Sequence, residues 1–500
     1  MNDTVQALLS EGADTSIALL GVDGTSIQYG ELRAQVGLLQ RELSGLGVGA
    51  QDRVAIVLPN GPSAAIAFLA AASRAAAAPL NPKYRESEFE FYLSDLSPRL
   101  VLVSEETSDA ALAAAESTGA PIATLSGPPG KLSFGVDPAS DLVDTPRPAD
   151  PGLFLHTSGT TSRPKVVPIS QLNLARSARN IAASLDLTPA DRSLNVMPLF
   201  HIHGLMAGLL APIATGASVI ATPGFDAFAF FKQLETLTPT YYTAVPTMHQ
   251  MIIDRARRRD DDLNHAGLRF IRSSSASLPA PVLEALEELF EAPVIEAYGM
   301  TEATHQMCAN PLPPGRRKTR SVGVPTGIEL RVFGENGSPV GAGEIGQVAI
   351  KGATVVSGYQ DNPDATDEAF VGDWFLTGDQ GYLDDDGYLY LTGRLKELIN
   401  RGGEKISPLE VDEALLRHDQ VAQAVTFGVA HGKLGEDVAA GVVLEPGATV
   451  TERELRDYLA DTLAAFKVPR SIVFLDELPK GATGKLQRIG LADRLDVGPW

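Results

Sequence analysis

Short apolar runs recur along the chain, and most lead into stretches whose apolar positions repeat at helical spacing. VAIVL (Val54–Leu58) precedes Pro62–Ala72, whose only proline sits at its start, where a helix tolerates it. RLVLV (Arg99–Val103) is a further strand candidate. YYTAVP (Tyr241–Pro246) leads into the helical TMHQMIIDRARRR, and LRFIRS (Leu268–Ser273) leads through a serine-rich turn into PAPVLEALEELF. PVIEAYG (Pro293–Gly299) is the next strand. Strands alternating with helices predict parallel sheets covered on both faces. Such sheets bind ligands at the carboxyl ends of their strands. Three polar segments fall there: His156–Lys165, Ser273–Ser277 and Tyr298–His305.

From about Ser321 the pattern changes. IELRVFG, GQVAIKG and DGYLYLTG are short strands separated by Gly, Asp and Asn turns, which predicts a small β subdomain. After GRLKELINRGGEK the alternation restarts. PLEVDEALLRH and ERELRDYLADTLAAF read as helices, VAQAVTFGV and VAAGVVLEP as strands. They form an α+β unit of about 100 residues, an ordinary domain size, with the joint near Arg394–Lys396. AALAAAES (Ala110–Ser117) reads as a surface helix. A chain of 500 residues exceeds one core, so two or three domains are expected.

Composition narrows the partners. The chain is 44% hydrophobic and 21% charged, as soluble globular proteins are. A formal net charge of -21 repels nucleic acid and anionic membranes, so neither is expected as a partner. The single cysteine, Cys308, excludes an internal disulfide and suits a reducing, cytoplasmic compartment. The N-terminal stretch has no basic start and no long apolar core, so no leader is expected. The most apolar run, Gly204–Phe225, is broken by Gly and Pro and reads as a buried helix followed by a buried strand rather than a membrane span.

The densest chemistry lies in HTSGTTSRPK (His156–Lys165), where five Thr/Ser hydroxyls surround one glycine. Thr157, Ser158, Thr160 and Thr161 with their backbone N–H groups can cradle phosphates, Gly159 admits close backbone approach, and Lys165 adds charge. This is not the common nucleotide loop, because Pro164 stands where that loop has glycine.

Together with YGEL (Tyr29–Leu32), DRVAIVLPNG (Asp52–Gly61), PLNPKYRESE (Pro79–Glu88), MPLFHIHGL (Met197–Leu205), EAYGMTEATH (Glu296–His305), Trp374–Val411 and PKGATGKLQR (Pro479–Arg488), this loop resembles the adenylate-forming superfamily of acyl-CoA synthetases over nearly the whole chain. The resemblance implies an α/β fold: a large N-terminal adenylation domain (1–393) with parallel and mixed sheets, flanking helices and a β subdomain, a hinge (394–398), and a small mobile α+β domain (399–500). It implies an acid substrate, ATP, Mg²⁺ and coenzyme A. A carboxylate attacks the α-phosphate of ATP, and the thiol of CoA then takes the acyl group. By resemblance Ser275, Ala276, Glu296, Ala297 and Tyr298 border the nucleotide, with Tyr298 stacking on adenine. Thr301 contacts phosphate and Glu302 holds Mg²⁺. Asp379 receives the ribose hydroxyls, and Arg394 partners it on ribose or phosphate. Lys485 bridges the attacking carboxylate and the α-phosphate. Lys396 is the hinge, and Gly402, Gly403 and Glu404 line the thiol tunnel. Arg163, Lys165, Arg394 and Lys485 then make a basic site inside an acidic shell. Two loop positions depart from the commonest family pattern, Ser162 and Val166, and a positive φ at Val166 would strain a β-branched residue.

Acyl choice should lie in RSSSASL (Arg272–Leu278) and in TEATH. Relatives commonly carry Gly or Ala at Ser274 and Ser275, Pro at Ser277, and a small residue at His305. The changes make a small, polar pocket, the opposite of a fatty-acyl tunnel. Ser275 and His305 can donate to a second carboxylate, with His305 able to do so as a cation near neutral pH, and His201 or His203 lies beside the acyl and thiol approach, His201 being the expected gate. These motifs resemble most the oxalate–CoA ligase branch. A ligase for malonate or acetate, or an adenylation protein that loads a carrier-protein thiol, are the competing readings. A monomer or a homodimer is expected.

Overall fold

A computed structural model describes residues 3–142, 144–157, 164–258, 267–479 and 488–500. The expected alternation gives two large sheets. One has six strands, in the order Ile122–Thr124, Leu100–Val103, Arg53–Ile56, Ala76–Pro79, Pro151–His156 and Val166–Ser170. The other has nine, in the order Val324–Pro325, His305–Ala309, Val294–Met300, Phe270–Ser274, Tyr241–Ala244, Arg192–Asn195, Ser218–Ala221, Ile17–Leu20 and Ser26–Gln28. From Val294–Met300 to Ile17–Leu20 the strands are parallel, and antiparallel strands close both edges. Their residues are almost wholly buried, as strands covered on both faces must be. The helix Pro62–Arg74, nearly all buried, belongs to the main core.

The run from Gly204 is a helix and then a strand, as expected, with one refinement. The α-helix Ile202–Leu205 passes into a π-helical turn, Met206–Leu210, before Ala211–Ile213. Pro212 lies just beyond that turn and has no N–H to continue the ladder. No helix among the described residues is long and apolar enough to cross a membrane. The alanine-rich segment forms Asp109–Thr118, which buries Ala111, Ala114 and Ala115 on one face.

A five-stranded antiparallel sheet holds Glu329–Phe333, Gly346–Lys351, Trp374–Leu383, Phe370–Val371 and Leu389–Arg394. The chain then makes a tight turn, in which Glu397 N–H donates to Arg394 O and Lys396 is exposed. Beyond it a second five-stranded sheet is built from Ile399–Arg401, Glu404–Ile406, Val421–His431, Gly435–Leu444 and Ser471–Phe474. One predicted helix is shorter than its pattern: Glu452–Ala460 ends early, and a 3₁₀ turn, Ala465–Lys467, follows. There the Lys467 ammonium lies 2.7 Å from Glu410.

Candidate active site

The parallel register brings two of the three polar segments together. Arg272 pairs with Thr243 on one neighbouring strand and with Ile295 on the other. The serine turn and the Tyr298–His305 segment therefore leave adjacent strands at the same end. The second of these segments is folded back sharply. Thr301–Ala303 is a 3₁₀ turn, and Thr304 and His305 follow with φ of 53° and 89°. The returning strand crosses so close to Gly299 that a Cβ there would stand 1.8 Å from His305 O. Only glycine fits at that position of YGMTE.

Ser275 and His305 are joined by a group that the sequence left unassigned. His203 is wholly buried. Its Nδ1 is 3.0 Å from Ser275 Oγ, and its Nε2 is 2.6 Å from Thr243 Oγ1. Its ring stacks on His305 at 4.9 Å between centroids and 25° between planes. Behind the pair lies Arg272, also wholly buried. One guanidinium nitrogen reaches His203 Nε2 and Thr243 Oγ1, each at 3.2 Å. The other reaches His305 Nε2 at 3.1 Å and Gln306 Oε1 at 2.9 Å. Arginine only donates, so both Nε2 atoms accept. The expectation of a cationic His305 is thereby corrected: an imidazolium has no acceptor nitrogen, and a second cation against Arg272 is repelled. His201 serves as the N-cap of Ile202–Leu205, its Nδ1 accepting from the His203 N–H at 3.2 Å. Ser275 is half-buried with φ 76°, and Ala276 is exposed beside it.

The nucleotide candidates form a second cluster. Antiparallel register sets Asp379 opposite Arg394, and Arg394 Nε donates to Asp379 Oδ1 at 2.9 Å. Tyr298 O–H donates to the other Asp379 oxygen, which ties the nine-stranded sheet to the β subdomain. The Asp379 carboxylate pushes the Arg394 guanidinium up, and burial pushes the Tyr298 phenol up. Glu296 is buried, one oxygen accepting from the Leu278 N–H at 3.0 Å, and burial lifts its carboxyl to about 8. Ala297, buried on the same strand, accepts from Ser274 Oγ at 2.8 Å.

Glu302, in the 3₁₀ turn with Thr301, is also buried and raised by desolvation, with Arg394 and Lys165 acting in the opposite sense. It accepts from Tyr359 O–H at 3.0 Å, and Lys165 Nζ stands 4.3 Å from the centre of the same tyrosine ring. Tyr359 was not legible in the sequence. Among the described residues no group of three metal-ligating side chains exists. One buried carboxylate flanked by cations fits Mg²⁺ carried in on phosphate oxygens better than a protein cage.

Thr157 and Lys165 close the neck of the phosphate loop: Thr157 N–H donates to Lys165 O at 2.8 Å, and Lys165 N–H to Thr157 Oγ1 at 3.1 Å. Val166 has no positive φ. It begins a strand opposite His156, where a β-branched residue is at home. Ser158, Gly159, Thr160, Thr161, Ser162, Arg163 and Lys485 lie outside the described residues. Arg488 donates to Thr426 O at 3.0 Å and pairs with Asp412 at 2.6 Å and with Glu397, in the turn after Arg394, at 3.5 Å. Gly402 and Gly403 form the exposed turn of a hairpin with φ of 63° and 96°, a pair that glycine meets without strain, and Glu404 follows them, exposed. The turn thus gives these glycines a structural role of its own.

Residues 10–360 match the AMP-binding enzyme family, and residues 410–485 match the AMP-binding enzyme C-terminal domain. An oxalate–CoA ligase of Arabidopsis thaliana is 48% identical, covering 90% of this chain and 89% of its own. An oxalate–CoA ligase of Saccharomyces cerevisiae is 40% identical, covering 96% of this chain and 95% of its own. The ATP-bound MatB of Rhodopseudomonas palustris superposes with a TM-score of 0.90 at 30% identity, over 99% of both chains.

Proposed function

Because this chain belongs to the AMP-binding enzymes, we propose that it is an AMP-forming acid–CoA ligase whose acid is oxalate. The overall reaction converts oxalate, ATP and CoA to oxalyl-CoA, AMP and pyrophosphate, with Mg²⁺ as cofactor. The observation that carries the substrate is the His203–Ser275–His305 cluster backed by Arg272. It offers hydroxyl and imidazole donors, with a cation behind them, where a fatty acid would need apolar walls.

Each half of the reaction has its residues. Asp379 takes the ribose hydroxyls while Arg394 neutralises it, the ring of Tyr298 stacks on adenine, and Ala276, Glu296 and Ala297 border the nucleotide. Ser158 to Thr161, with Thr157 and Lys165 at the neck, cradle the β- and γ-phosphates. Thr301 adds a phosphate contact. Glu302 holds Mg²⁺, which neutralises phosphate charge when bound. One oxalate carboxylate attacks the α-phosphorus as pyrophosphate leaves, with Lys485 between the two charged groups. His203, Ser275 and His305 hold the other carboxylate.

We place the adenylation domain at 1–393, the hinge at 394–398 with Lys396 at its apex, and the mobile domain at 399–500. Rotation about the hinge withdraws Lys485 and brings Gly402, Gly403 and Glu404 to the thiol path, with His201 at its entrance. The CoA thiol then attacks the acyl carbon and AMP leaves. The protein works in the cytoplasm as a monomer or homodimer.

A substrate panel tests the reading: pyrophosphate release with ATP, Mg²⁺ and CoA, offered oxalate, malonate, acetate and octanoate. Oxalate should give the highest kcat/KM, and His305→Ala should lose it while still binding ATP. Preference for octanoate would overturn the assignment.

A further inference from the structure

A wholly buried arginine in a central strand is expensive, because removing a charge from water costs several kcal/mol unless something compensates. Arg272 is such a residue, and among the described residues no carboxylate pairs with it. Its two terminal nitrogens donate to side-chain acceptors without a formal negative charge instead, and its Nε has no partner among the described residues. The two arms of the fork divide between the stacked imidazoles, one arm on His203 and Thr243, the other on His305 and Gln306.

This geometry dictates proton positions. Both Nε2 atoms accept from Arg272, so in the neutral rings the protons sit on Nδ1. The His203 Nδ1–H then donates to Ser275 Oγ, 3.0 Å away. Because a protonated Nδ1 cannot accept, the Ser275 hydroxyl donates its own proton away from His203. Thr243 is fixed in the same way: it accepts from Arg272 and donates to His203 Nε2.

We propose that Arg272 is a positioning residue that locks His203 and His305 as neutral Nδ1–H tautomers, so that a dianion meets oriented donors with a fixed positive charge behind them. Selection of the second carboxylate thus does not depend on protonating a histidine. The inference rests on the proposed function only for the identity of that anion; the imidazole states belong to the unliganded chain.

The test is ¹⁵N NMR of the full chain labelled at histidine, with the two rings assigned through His203→Gln and His305→Gln. Both rings of the wild type should be neutral, protonated on Nδ1, and should not titrate between about pH 6 and 8, the range in which an ordinary imidazole does. An Nε2–H tautomer at either ring, or an ordinary titration, would overturn the proposal, and no variant is needed to see it. In Arg272→Gln the KM for oxalate should rise about tenfold or more while the KM for ATP stays within about twofold. The pH profile of kcat/KM for oxalate should also gain an ionisation in the imidazole range. An equal rise in both KM values with an unchanged pH profile would mark Arg272 as structural only and overturn the proposal. Locked tautomers in an enzyme that ignores oxalate would support it and overturn the substrate reading instead.

Discussion

Ser275 and His305 hold φ of 76° and 89°, values that favour glycine. A side chain there costs about 1–2 kcal/mol of backbone strain, so the donors are kept at a local expense. Ser275→Gly should relieve that strain, offset in part by the greater entropy of glycine in the unfolded chain. The net change in unfolding free energy is expected within about 1 kcal/mol, while kcat/KM for oxalate falls about a hundredfold. Denaturant unfolding and steady-state kinetics on the same preparation check both numbers, and a large destabilisation would show that Ser275 serves the fold rather than the substrate. Glu296 gives a pH signature of its own. Burial lifts its carboxyl from about 4.5 to about 8. Between those values the folded chain keeps a proton that the unfolded chain has lost, so this group lowers stability as pH rises. Glu296→Gln preserves the oxygen that accepts from Leu278 and removes the titration. Without nucleotide, the variant should gain on the wild type from about pH 5 to pH 8, by on the order of 1 kcal/mol per pH unit at most. Parallel stability curves would rule this out.

The segment around Tyr359 joins two elements that the phosphates need. Gln360 N–H donates to Val166 O at 2.9 Å, at the neck of the loop, while the Tyr359 hydroxyl holds Glu302 and its ring lies against Lys165. Tyr359→Phe keeps the ring and loses only the hydroxyl. The Mg²⁺ concentration for half-maximal pyrophosphate release should rise about tenfold, as when a group that orients a metal ligand is removed, with the KM for oxalate unchanged. An unaltered Mg²⁺ titration would leave Tyr359 a packing residue. What the sequence made legible follows the same division. VAIVL, YYTAVP and PVIEAYG were readable as strands because burial on both faces leaves continuous apolar runs. Asp379 and Arg394 were readable from motifs, but only antiparallel register sets them opposite one another. Arg272 stood in plain view in LRFIRS, a charge directly after Phe270 and Ile271 in a segment read as a strand, and that position was the available signal. Its partners were not legible, because Thr243 and His203 reach it only through strand pairing and a helix entry distant in sequence. His203 also lay two residues from His201, which the sequence favoured as the gate, and helix geometry, not composition, made His201 a cap and His203 part of the cluster.

At the scale of the molecule, a net charge of -21 would meet proposed substrates that are all anions. Two electrostatic effects therefore oppose each other over different distances. The global field repels these proposed anionic substrates during approach, and it is screened within about 10 Å at 0.1 M salt but reaches about 30 Å at 0.01 M. The cations of the site act at contact: Arg272 is sealed from water, and Lys165 and Arg394 bear on the buried Glu302. Buried charges are screened much less than the surface field. Salt should thus remove the repulsion and spare the attraction. Raising indifferent salt from about 0.01 to 0.1 M at fixed free Mg²⁺ should increase kcat/KM for CoA about two- to threefold and leave kcat unchanged, because encounter and not chemistry is altered. CoA is the informative substrate, since it arrives after the acyl-adenylate has formed and its phosphates must cross the acidic exterior without help from the ATP cradle. A fall in kcat/KM with salt would mean that exposed cations around the thiol entrance outweigh the global charge, and that the basic site extends to the surface instead of ending at the buried arginine.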